Sequence, residues 1–148
     1  MNAAAYIFRL GGAAFAGGVA AGVIFPFLRG LAYLIEAGRW FGGASSAFFA
    51  IPPLIFFAVI CLLATDGVAR FGGAARTERL GAVVGAALGL ILILPWRAFE
   101  LQIATAYADD PSFPQTPSLI LFLIIGAATG AICGAVGVFI SNWIGARA

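Results

Sequence analysis

The chain has 148 residues, of which 63% are hydrophobic and only 9% are charged, and its mean hydropathy is +1.08. Soluble globular domains carry about 25% charged residues, so this composition excludes that class and indicates an integral membrane protein. The net charge of +2 comes from arginines that are spread along the whole chain, a pattern that argues against a nucleic-acid partner.

Four apolar stretches are each close to the roughly 17 to 25 residues that cross the hydrocarbon of a bilayer. They cover residues 10–28, 47–64, 80–96 and 118–140. Too little chain remains for a separate soluble domain, so residues 1–148 are predicted to form one transmembrane domain. The predicted fold class is all-α, a four-helix transmembrane bundle with two short interfacial helices on the outer side.

In the first apolar stretch, Ala14, Gly18 and Gly22 are four residues apart and therefore share one helix face. Pro26 lacks a backbone N–H and predicts a bend or an end of the helix. The following segment, residues 29–41, is too polar for lipid and too apolar for a free loop, so it is predicted as the first interfacial helix. We interpret the stretch as a retained helix, because its apolar core exceeds the ~7 to 15 residues of a signal peptide.

In the second apolar stretch, Pro52 and Pro53 predict a kink near the outer end of the helix. The loop that follows carries Arg70, Arg76 and Arg79 next to glycines, and it is predicted to be a cytoplasmic topology anchor.

The third and fourth stretches carry glycines at every fourth position, which are Gly81, Gly85 and Gly89 in the third and Gly126, Gly130 and Gly134 in the fourth. In a bilayer, small residues at this spacing let two helices approach closely, and Gly18 and Gly22 have the same spacing. All eight glycines are predicted to be helix-packing residues. Residues 97–108, after Pro95, are predicted to form the second interfacial helix.

The arginines also predict the orientation of the chain. If the N-terminus is cytoplasmic, five arginines lie inside and three lie outside, in agreement with the excess of positive charge in cytoplasmic loops. The prediction is therefore a bacterial inner-membrane protein with both termini in the cytoplasm.

Residues that carry chemistry are scarce. The chain has no histidine and no lysine, and Cys61 and Cys133 are isolated within predicted spans. The commonest metal ligand, the usual axial haem ligand and the usual general base are thus missing, and two cysteines alone cannot form a zinc or iron–sulfur site. No metal, cofactor or enzymatic activity is predicted, and a disulfide between the two cysteines is not expected.

Arg29 and Arg97 form the most specific polar pattern, since each follows a proline at a similar predicted outer depth. Two guanidinium groups that converge could receive a phosphate or a carboxylate, so both are candidates for binding an anion or a lipid head group. Alternatively, they reach to head groups singly or pair with glutamates, for example Arg97 with Glu100 and Arg39 with Glu36.

The small-residue faces favour a protein that acts through helix–helix contacts. Its partners would be membrane lipids and other transmembrane helices, either as an accessory or assembly subunit of a larger complex or as a homo-oligomer. The alternative is a small transporter, channel or lipid-handling protein in which Arg29 and Arg97 receive an anionic group at the outer leaflet. An intramembrane enzyme is a third hypothesis, which the missing acids and metal ligands oppose.

Overall fold

A computed structural model describes residues 2–40, 47–71, 78–111 and 113–147, without the side chains of residues 47–54, 69–71 and 145–147. The described residues form four α-helices and no strand. The helices are α1 (Ala3–Ala37), α2 (Ala47–Phe71), α3 (Glu78–Ala106) and α4 (Leu119–Arg147). The prediction of an all-helical chain is confirmed.

Three helices are long and apolar enough to cross a membrane, which are α1, α3 and the part of α4 over Leu119–Ile144. The described apolar part of α2 is shorter and covers Ile55–Val68. These lengths support the prediction of a multi-pass membrane protein. Large apolar side chains cover the outward faces of the helices, including Phe15, Val23, Ile91 and Ile120, as expected for surfaces that contact lipid.

Both ends of α1 carry capping residues. The side-chain carbonyl of Asn2 accepts a hydrogen bond from the backbone N–H of Ala5 at 2.8 Å, which satisfies one free donor of the first turn. At the other end, Gly38 has a φ of 75°, a left-handed conformation that glycine adopts without steric cost.

The helices continue through prolines at which the sequence predicted bends or ends. Pro26 lies inside α1 and Pro95 lies inside α3. A proline removes one backbone hydrogen bond from a helix. The helix continues beyond Pro26 because its next turns are packed against the rest of the protein, with Phe25, Arg29 and Tyr33 on the buried face. In the described residues, the two segments predicted as separate interfacial helices are continuations of α1 and α3.

These continuations make the helices longer than the membrane interior requires. At 1.5 Å per residue, the 35 residues of α1 extend over about 50 Å, and the 29 residues of α3 over about 43 Å. The hydrocarbon of a bilayer is about 30 Å thick, so several turns of each helix can extend past it at one end or both.

The helices pack side by side in alternating directions. Each of α2 and α4 contacts all of the other helices, and α1 and α3 lie on opposite sides of this central pair. Along α1, Gly17 contacts Cys61 and the later Phe25 contacts the earlier Phe57, so α1 and α2 are antiparallel. The order of the contacts between α3 and α4 makes these helices antiparallel as well. Within the described residues, no close backbone approach joins α1 to α3.

The contact between α3 and α4 is backbone against backbone. A Cβ built on Gly85 would lie 2.0 Å from the carbonyl oxygen of Gly130, and one built on Gly130 would lie 2.2 Å from that of Gly85. The same reciprocal approach pairs Gly81 with Gly134 and Gly89 with Gly126. The six glycines thus form a continuous antiparallel seam, which we call the glycine seam.

Candidate functional site

Polar side chains concentrate at the end of the packed helices where α1 and α3 finish and α4 begins, which we call the Arg29 end. It holds a buried ion pair and an open cavity. The ion pair joins the last turns of α1 and α3, and the cavity lies between the end of α3 and the residues that precede α4.

The ion pair joins Arg29 of α1 to Glu100 of α3, and each residue is only 3% exposed. The Nε of Arg29 donates to Oε1 of Glu100 at 2.8 Å, and Nη2 of Arg29 donates to the same oxygen. The hydroxyl of Tyr33 also donates to this oxygen, at 3.0 Å, and the Arg29 guanidinium lies 4.9 Å from the centre of the Tyr33 ring. One carboxylate oxygen therefore receives three donors.

Helix periodicity explains how this cluster assembles. Arg29 and Tyr33 are one turn apart on the buried face of α1, and Glu100 follows Ile93 and Trp96 on the buried face of α3. Because the backbones of α1 and α3 do not approach each other, the long side chains cross the gap between them. The ion pair is thus a direct tie between the two outer helices.

A second polar contact fixes the start of α4. Glu36 accepts hydrogen bonds from the backbone N–H of Ser118 at 2.7 Å and from its hydroxyl at 2.8 Å. Ser118 directly precedes α4, and its own carbonyl accepts from the N–H of Phe122 at 3.2 Å. A carboxylate beside a helix N-terminus is stabilised by the free N–H groups and by the helix dipole.

Arg97 has a different environment from Arg29. Its Nη2 donates to the carbonyl oxygen of Pro117 at 3.3 Å, and its guanidinium lies 5.9 Å from the centre of the Phe122 ring. Its Nε is buried and has no hydrogen-bond partner. In the described part of the chain, no carboxylate pairs with Arg97.

The cavity opens beside Arg97. Its walls come from one face of the end of α3 and from residues 113–116 before α4. The rings of Tyr107 and Phe113 stack with their centres 5.2 Å apart and line it, together with Thr105 and Gln115. The cavity therefore combines a positive charge, aromatic surface and polar groups.

The structure places the two predicted head-group arginines at the same end, but it does not bring them to a shared partner. Arg29 is paired with Glu100, whereas the contacts of Arg97 are with Pro117 and Phe122. One alternative from the sequence paired Glu100 with Arg97 on spacing along one helix, and the sequence reasoning did not place Tyr33 in this cluster. The spacing of Arg29 and Tyr33 by one turn was the available signal for a shared partner.

The predicted helix-packing glycines fall into two groups. The six of α3 and α4 meet in the glycine seam, whereas Gly18 and Gly22 of α1 lie beside an open apolar groove. Gly17, which lies next to the face chosen from the sequence, is buried on α1, and a Cβ built on it would lie 2.1 Å from Sγ of Cys61. Sequence reasoning therefore missed Gly17.

Gly17→Ala is expected to destabilise the protein, because the new methyl group would overlap the Cys61 side chain. A shift of α1 that relieves this overlap would disturb a close-packed interface. Gly18→Ala is the matched control, since its Cβ would lie 3.9 Å from that of Ala58, an ordinary contact. Thermal unfolding in mild detergent should give a lower midpoint for Gly17→Ala only. Equal midpoints for the two variants would contradict this packing.

Cys61 and Cys133 are buried free thiols at the same interface. Sγ of Cys61 donates to the carbonyl oxygen of Cys133 at 2.6 Å, and Sγ of Cys133 donates to that of Gly17 at 3.6 Å. These hydrogen bonds connect α1, α2 and α4. Among the described residues, no group of three acids, cysteines or histidines could hold a metal ion.

The chain was compared with protein-family models, with curated proteins and with solved structures. No family model matches it, and neither does any curated protein or solved structure.

Proposed function

We propose that this chain is a small bacterial inner-membrane protein that acts by helix–helix association, as an accessory or assembly subunit of a larger membrane complex or as a homo-oligomer. The observation that carries this proposal is an open groove between α1 and α2. Ala14, Gly18 and Gly22 form its floor, and Ile55 and Ala58 form its α2 side.

This groove is a better candidate for association than the glycine faces of α3 and α4. The face that contains Gly126, Gly130 and Gly134 is already filled by the backbone of α3. No described helix of the chain covers the floor of the α1–α2 groove, where Gly22 is exposed and Gly18 is half-buried. A helix from another chain would find the close approach that small residues permit.

The lining of the groove favours a helix over a polar ligand. Phe15 and Val19 border the floor on the α1 side, and all of the lining residues are apolar or glycine. Apolar surface by itself gives no preference for protein over lipid chains in a bilayer. A groove whose shape matches a helix does favour a protein partner over lipid chains, because close packing adds van der Waals contacts and permits Cα–H hydrogen bonds.

In the proposed topology, all four helices cross the membrane and both termini are cytoplasmic. The excess of arginine on the cytoplasmic side supports this orientation. The ends of α1 and α3 that carry Arg29 and Arg97 then lie at the outer interface. There, the exposed side chains of Trp40 and Tyr107 would occupy the levels where aromatic residues are enriched.

Gly18→Ile tests the association. The isoleucine side chain would occupy the groove, so the variant is expected to lose the partner and to migrate as a smaller particle. The measurements are the mass of the particle in mild detergent, by size exclusion with light scattering, and the set of proteins that co-purify with a tagged chain.

Gly11→Ile is the matched control for this test. Gly11 lies on the same helix, outside the groove, and nothing lies within 4 Å of a Cβ built on it. It should associate as the wild type does. A wild type that is a monomer without co-purifying proteins, or a Gly18→Ile particle of unchanged mass and composition, would refute the proposal.

A further inference from the structure

We propose that the cavity beside Arg97 binds the phosphate of a membrane-lipid head group. This inference is separate from helix association, since the cavity lies at the Arg29 end and shares no lining residue with the α1–α2 groove.

The first argument is the depth of Arg97. It is the first charged residue after the apolar run 80–96 of α3, and it directly follows Trp96. A run of 17 residues extends over about 25 Å, close to the thickness of the hydrocarbon. Arg97 is therefore placed at the boundary where lipid phosphates lie, and an arginine there can extend its charged group into the head-group layer.

The second argument is the unused binding capacity of Arg97. A guanidinium has five N–H donors, and Arg97 uses one of its groups on the Pro117 carbonyl at 3.3 Å, a long hydrogen bond. Its Nε is enclosed by the protein, so the Nη groups are the donors that Arg97 offers to a ligand in the cavity. Phosphate oxygens match the geometry of the guanidinium and accept two parallel hydrogen bonds from it.

The third argument is the distribution of charge around the cavity. The acids that could have neutralised Arg97 are engaged elsewhere, since Glu100 pairs with Arg29 and Glu36 accepts hydrogen bonds from Ser118. Asp109 and Asp110 are exposed and do not line the cavity. Arg97 is thus the charged residue of the lining, and the local field there favours an anion.

The remaining lining fits the rest of a phospholipid head group. Thr105 and Gln115 provide hydroxyl and amide groups, and the stacked rings of Tyr107 and Phe113 provide apolar surface. The hydroxyl of Thr105 already donates to the carbonyl of Leu101 at 2.9 Å, so its lone pairs remain available as acceptors.

Equilibrium binding of short-chain lipids to the detergent-solubilised protein, read by native mass spectrometry, tests this site. Phosphatidylethanolamine and phosphatidylglycerol should both bind, and diacylglycerol with the same chains, which lacks the phosphate, should not. Arg97→Gln is expected to weaken phospholipid binding about tenfold or more, because a hydrogen-bonded charged group is lost.

Arg39→Gln is the control for charge, since Arg39 is an exposed arginine at the same end and outside the lining. Its affinity for phospholipid should stay within about twofold of the wild-type affinity, whereas the loss of one charged contact lowers affinity about tenfold. If Arg97→Gln does not fold, Ala104→Phe decides the test, because its ring would fill the cavity from the α3 wall while Arg97 stays in place.

Three results would overturn the proposal. The first is equal binding of phospholipid and diacylglycerol, and the second is phospholipid binding that survives both Arg97→Gln and Ala104→Phe. The third is competition by inorganic phosphate at the concentration at which the phospholipids bind, which would assign the site to a free phosphate and not to a lipid.

Discussion

Gly85→Ala is expected to lower the free energy of unfolding by about 1–3 kcal/mol, because its methyl group would lie 2.0 Å from the Gly130 carbonyl oxygen. That neighbour is backbone and cannot turn away, so α3 and α4 must separate. In a helix interior, alanine is favoured over glycine by about 1 kcal/mol. The steric cost is expected to exceed this gain, and unfolding in mild detergent by a graded denaturant would measure the difference.

Gly11→Ala provides the matched comparison, because it makes the same change at an exposed helix position with nothing within 4 Å of the new Cβ. It should be neutral or slightly stabilising. Gly130→Ala should destabilise as Gly85→Ala does, and the double variant should cost less than the sum, since both changes force the same separation of the helices. A Gly85→Ala variant as stable as Gly11→Ala would show that the glycine seam is not closely packed.

Glu100→Ala is expected to have the largest effect of any single substitution at the Arg29 end, about 3–5 kcal/mol of lost stability. It leaves the guanidinium of Arg29 buried without its carboxylate, and it removes the acceptor of the Tyr33 hydroxyl. Removal of one partner of a buried ion pair is costly because the other charge stays out of water. The measurement is again denaturant unfolding in detergent.

The double variant Arg29→Met with Glu100→Met distinguishes the interaction between the two residues from the cost of leaving one charge buried alone. Because both charges are gone, it should be markedly more stable than the sum of the two single changes implies. Tyr33→Phe is the control, since it removes one hydrogen bond to the carboxylate and should cost about 1.5–3 kcal/mol, less than loss of the carboxylate itself. Strict additivity of the two methionine changes would show that Arg29 and Glu100 do not interact in the folded protein.

These two predictions concern two different ways in which the helices are held together. The glycine seam holds α3 to α4 by close approach of backbones, whereas α1 and α3 stay apart and are joined by long polar side chains. Close packing is favoured inside a bilayer, where apolar side chains gain nothing by leaving lipid. A buried ion pair, in contrast, requires every donor and acceptor to be placed, so it specifies how the Arg29 end is arranged.

The sequence by itself determined the helical, membrane-embedded character of the chain. Apolar runs of the length that spans a bilayer, with 9% charged residues overall, leave helices as the structure that satisfies every backbone hydrogen bond within one segment. The spacing of Gly81, Gly85 and Gly89 also predicted a face of α3 without side chains, because the period of a helix places every fourth residue on one side.

Only the tertiary structure decided what those faces and charges contact. Gly17 and Gly18 differ by 100° around α1, and the sequence contains no signal for which of them meets Cys61, since both faces carry small residues. Likewise, spacing along one helix favoured Arg97 as the partner of Glu100, whereas the packing of α1 against α2 and α4 brings Arg29 to it from another helix. Contacts between residues 71 positions apart depend on how helices pack, which local periodicity does not specify.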